Sequence, residues 1–104
     1  MSIKNSGWVA QINRMPGDLF LRTYGTVTVA HPGIIPTLVP SPMQDKSFDL
    51  RLDLELKDSG DITTQVETEK AVTYKNLGDS HVTGVSIFFE GKLLHHIKDV
   101  MITH

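Results

Sequence analysis

The sequence predicts an all-β fold, a predominantly antiparallel small β-sandwich or partly open β-barrel of seven to nine short strands. Three observations carry that expectation. Residues 47–57 alternate strictly between apolar and polar side chains, turn-forming residues recur at short intervals, and at most one helical turn, near residues 67–71, fits the pattern.

The chain begins with a short strand over residues 7–13, with Trp8 and Ile12 towards opposite ends of one face. Residues 14–18, containing Pro16 and Gly17, form a turn, because proline sets φ and glycine accepts a positive one. Residues 19–30 form the second strand. Leu19, Leu21, Val27 and Val29 share one parity, and Phe20, Arg22, Tyr24, Thr26 and Thr28 share the other. Gly25 inside this run predicts a bulge or bend that divides it or carries it between sheets.

Residues 31–42 break the rhythm. Four of the five prolines fall here, and proline removes a ladder donor, so an extended, stiff, apolar loop is expected. The clearest strand follows it. Phe48, Leu50, Leu52, Leu54 and Leu56 face one side, and Asp49, Arg51, Asp53, Glu55 and Lys57 face the other. A wet second face argues against a doubly wound parallel sheet. Residues 57–61 read as a hairpin turn into a weak polar edge strand near residues 62–67, followed by strands over 70–75 and 81–90. Glu90 and Gly91 turn the chain into a hairpin spanning 85–97, and Val100 and Ile102 mark a last short strand.

At 104 residues, a single compact domain over 1–104 with one core is expected. The apolar fraction of 39 % is that of a globular chain, and the formal net charge is only -2. Residues 1–46 carry Lys4, Arg14, Arg22 and Lys46 against Asp18 and Asp45, and the rest of the chain is net acidic. This balance gives no long-range reason to bind nucleic acid or a membrane surface. Phe20, Arg22 and Tyr24 share a face as in a base-stacking platform, but one cation is too few for a backbone-tracking groove. There is no cysteine, which excludes disulfides, thiolate metal sites and thiol nucleophiles. No leader-like apolar run opens the sequence, so the cytoplasm is the default compartment.

Catalytic signals are sparse. The motif around Ser86 is not a nucleophile elbow, no phosphate-binding glycine loop is present, and His31, His81, His95, His96 and His104 lack metal-ligand spacing. The residues around Asp58 and Asp61 lack the length and ligand order of a calcium loop. No cofactor, metal ligand or catalytic residue is therefore assigned, and a non-enzyme is favoured.

The leading expectation is a non-catalytic protein-interaction or assembly domain, self-associating or binding a protein partner. Its contacts would come from Ile34, Ile35, Leu38 and Val39 of the proline segment and from an exposed strand edge near residues 61–68. The alternative is a small-ligand-binding β-barrel with hydrolase or isomerase activity, in which Tyr24, Tyr74, Glu90 and His95 converge in a cavity under the same loop.

Overall fold

A computed structural model describes residues 3–42, 44, 48–60, 65–78 and 80–103. Eight strands run through them: β1 (Asn5–Met15), β2 (Asp18–Val29), β3 (Ile34–Pro40), β4 (Asp49–Asp58), β5 (Thr68–Leu77), β6 (Gly84–Phe89), β7 (Lys92–Ile97) and β8 (Met101–Thr103). They form two four-stranded sheets, in the orders β5-β2-β1-β8 and β3-β4-β6-β7, which do not close into a barrel. Pairing is antiparallel except for β1 with β8 and β4 with β6. No helix among the described residues is long and apolar enough to cross a membrane.

Alternation places the core. In β2, Leu21, Thr23, Gly25, Val27 and Val29 are buried, while the residues between them stay half-exposed. Leu52 and Leu54 of β4 and Val85, Ile87 and Phe89 of β6 meet them from the other sheet. Burying each such aliphatic side chain contributes about 1.5–3 kcal/mol before entropy is counted. Phe48 departs from the expected apolar row: it precedes β4 and is 64 % exposed.

β2 is one unbroken strand, paired with β5 from Phe20 to Val29, so Gly25 neither bends nor divides it. The irregularity lies opposite, in β1. Gly7 and Trp8 together face Gly25 between the pairs Ser6 with Thr26 and Val9 with Tyr24. Gly7 takes a φ of 68°, the left-handed geometry of a glycine bulge. Gly25 serves the Trp8 ring, since a Cβ there would stand 2.4 Å from it. The indole N–H donates to Asn5 Oδ1 at 2.8 Å, and the ring stacks on His95 at 6.3 Å.

The proline segment is a strand, not a loop. Ser41 N–H donates to the Arg51 carbonyl and Ser59 N–H to the Gly33 carbonyl, so odd-numbered residues of β3 turn their backbone towards β4. Pro36 and Pro40 are even-numbered and direct their missing N–H away from the ladder, and Pro32 and Pro42 flank the strand. Proline is compatible with an edge strand in that register. The expected side-chain grouping splits accordingly. Leu38 is buried and Ile34 packs on the core, whereas Ile35 and Val39 lie on the outer face.

Two connections also differ from expectation. β4 continues to Asp58, and the next strand among the described residues, β5, belongs to the opposite sheet. The expected helical turn over 67–71 is the start of β5. Of the expected edge strand, residues 61–64 lie outside the described residues, and 65–67 are not strand. The hairpin around Glu90 and Gly91 forms as expected, but a bulge shifts its register between Ile87 and Phe88. Leu94 therefore packs on the core, and Leu93 is 57 % exposed.

Two substitutions test this packing. Gly25→Ala should lose about 1–3 kcal/mol in urea unfolding by overpacking Trp8, and most of that loss should vanish in a Trp8→Ala background. The Thr23 hydroxyl is fully buried without a hydrogen-bond partner among the described residues, so Thr23→Val should raise stability by about 1 kcal/mol in the same assay.

Candidate functional site

The four residues expected to converge in a ligand cavity do not share one. Tyr24 lies on the outer face of β2, beside a shallow depression with Arg22 and Gly7. Tyr74 packs against the core from β5, and His95 stacks on Trp8 at the sandwich edge. Glu90 sits at the β6–β7 turn with a left-handed φ of 53°.

Two polar clusters form that spacing along the chain did not reveal. On the outer face of the β3-β4-β6-β7 sheet, Asp49 of β4 accepts from Ser86 Oγ at 2.7 Å and contacts His96 Nε2 of β7 at 3.0 Å. β6 runs between these two strands, and Gly84 leaves the gap. A Cβ on Gly84 would lie 2.9 Å from Asp49 Oδ1 and 3.2 Å from His96 Nε2. The carboxylate stands between the hydroxyl and the imidazole. A base-activated serine needs the imidazole in that middle position. Ser86 is also buried, so the cluster works as a clasp across three strands.

The second cluster ties the entry of β3 to the end of β4. Gly33 N–H donates to His31 Nδ1 at 3.1 Å, which leaves the proton on Nε2, facing Asp58 Oδ2 at 3.2 Å. Asp58 also accepts from Gly60 N–H at 2.9 Å. That amide, ahead of His31, holds the Asp58 carboxyl below its ordinary value. No group of three or more potential metal ligands occurs among the described residues.

The most distinctive surface is the outer face of the β5-β2-β1-β8 sheet. Register sets Leu77 beside Phe20, Lys75 beside Arg22, and Thr73 beside Tyr24. Lys75 Nζ lies 4.5 Å from the Phe20 ring centroid, and the Arg22 guanidinium lies 4.9 Å from that of Tyr24. Arg22 donates to Gln11 Oε1, and Gln11 donates in turn to Thr103 of β8, so side chains join β2, β1 and β8. Leu77 is 76 % exposed, and Met15 and Met101 are about half exposed at the margins. Sequence reading found Phe20, Arg22 and Tyr24 together but missed Lys75, which arrives only through the pairing of β2 with β5.

Where β4 runs past the end of β6, a depression of ≈ 730 Å³ is lined by outward Arg51, Asp53, Glu55, Phe88 and Glu90 and also by inward Leu54, Leu56 and Phe89. Arg51 lies over the Phe88 ring at 5.8 Å.

Comparison with protein-family models, with curated proteins and with solved structures returns no match to this chain.

A lowered carboxyl pKa contributes stability above the unfolded-state value and loses it as pH falls through the folded one. Asp58→Asn should be less stable than the wild type at pH 6. That gap should close as pH drops below about 4, read as converging urea midpoints.

Proposed function

We propose that this protein is a non-catalytic interaction and assembly domain whose contact surface is the outer face of the β5-β2-β1-β8 sheet. The observation that carries the proposal is the grouping there of Phe20, Tyr24, Arg22, Lys75 and the strongly exposed Leu77. Aromatic and arginine side chains supply much of the binding energy in protein interfaces, and an exposed apolar patch ringed by polar groups marks such a surface.

The proline segment takes a smaller part than its composition suggests. Leu38 and Ile34 are committed to the core, and the prolines remove amides that an added strand would need. The polar clusters support a non-catalytic reading, because each is tied up in joining strands. Asp49 holds Ser86 and His96, and His31 holds Gly33 and Asp58.

A photo-reactive amino acid placed at Leu77 or Met101 tests the surface in native extract, with exposed Val66 as the control position. Discrete protein adducts are expected from 77 and 101 and none from 66. Equal labelling at all three positions, or no adduct at any, refutes the proposal.

A further inference from the structure

We infer that the partner of this surface is a second copy of the chain, with the β5-β2-β1-β8 face of one molecule docked on the β3-β4-β6-β7 face of the next. The inference rests on the interaction-domain reading and names its occupant. Its basis is charge complementarity between two faces of the same molecule.

On the first face, Arg22 of β2 lies beside Lys75 near the end of the edge strand β5, with Glu69 towards the other end of β5. On the second face, Asp53 and Glu55 of β4 and Glu90 of the β6–β7 turn border the 730 Å³ depression, whose lining includes the Phe88 ring. Arg51 lies over the Phe88 ring in the same depression and Lys57 shares its row, so the second face is acidic by the excess of Asp49, Asp53, Glu55 and Glu90 over these two cations, against Arg22 and Lys75 over Glu69 on the first. Leu77, Met15 and Met101 would lie over the outward apolar groups Val39, Phe88 and Leu93.

Two copies of the first face cannot pair so well, since Arg22 and Lys75 would confront their own kind. Opposite charges set face to face steer encounter and fix register, whereas like charges exclude the wrong arrangement. Size is adequate too. The molecule measures 45 × 28 × 21 Å, and its broad face exceeds the roughly 800 Å² per partner of a standard interface. Such an interface uses different patches on the two copies, so it propagates into a ring or a filament unless it is capped.

Sedimentation velocity on two charge-reversed variants tests this, with circular dichroism to verify folding. Arg22→Glu/Lys75→Glu reverses the first face, and Asp53→Lys/Glu55→Lys reverses the second. Lys75→Glu and Glu55→Lys alone serve if either double variant misfolds. The wild type should associate with rising concentration, and each variant alone should associate at least about tenfold more weakly. An equimolar mixture of the two should regain assembly, because every contact between unlike variants again joins opposite charges. A wild type that stays monomeric at millimolar concentration overturns the inference, as does a mixture that fails to recover. So does a second-face variant that still associates normally. A monomeric wild type that yields an adduct with a different protein from position 77 would end this inference and leave the interaction-domain reading intact.

Discussion

Pro36 and Pro40 withhold two amide donors from the free edge of β3, so the seam between the sheets on that side lacks the donors for a ladder. β3 and β5 are edge strands of opposite sheets, and they approach each other along one side of the sandwich. Closing the barrel there would need a hydrogen-bonded ladder between them. β3 cannot supply its half. The Ile34 amide is spent on the His31 carbonyl, Pro36 and Pro40 have none, and only Leu38 remains. A side chain bridges the seam where the backbone cannot, with Lys70 of β5 donating to the Pro32 carbonyl. The seam is therefore fastened at one end and left unladdered along its length. The same missing donors discourage a strand of another molecule from adding to this edge, which is how natural sheets avoid edge-to-edge aggregation.

Trp8 fastens the opposite side. A bulge at Gly7 inserts one extra residue into β1, and Gly25 of the neighbouring strand has no side chain to oppose the ring. The indole then reaches His95 of β7, so an aromatic contact joins the two sheets where β1 and β7 approach. Neither glycine is explicable alone. One provides the backbone turn and the other provides the space, and both exist for the same tryptophan.

Much of the fold was legible because period-2 alternation is a local signal. Leu52, Leu54, Val85, Ile87 and Phe89 all face inward as their parity requires, and the turn around Glu90 and Gly91 sits where its residues demand. In the proline segment the number of prolines points to a loop, whereas their parity is compatible with a strand. Pro36 and Pro40, the two prolines inside the strand, share one parity, which suits an edge strand whose missing donors face outward. The role of Gly25 is hidden for a different reason, since it depends on a side chain seventeen positions earlier. The polar clusters were not legible at all. Asp49 and His96 meet only because β4 and β6 pair in parallel and Gly84 leaves room between them, and neither fact has a local trace. Of the interaction surface, the β2 row was visible and the β5 row was not, because strand pairing had to be known first.

The inner faces of this sandwich are almost wholly apolar, so they carry stability and very little chemical identity. Identity has to be written on the outward parity, where a residue can change without disturbing the core. The two central strands show how independently this can happen. β2 buries Leu21, Val27 and Val29 while presenting Phe20, Arg22 and Tyr24, and β4 buries Leu52 and Leu54 while presenting Asp53 and Glu55. One alternation rule thus gives two inner faces that meet in one core and two outer faces that differ in charge. A molecule built this way keeps both faces accessible only if its sheets do not wrap into a closed barrel with a single curved exterior. The prolines of β3 keep one of the two seams unladdered, while the same strand still lends Leu38 and Ile34 to the core.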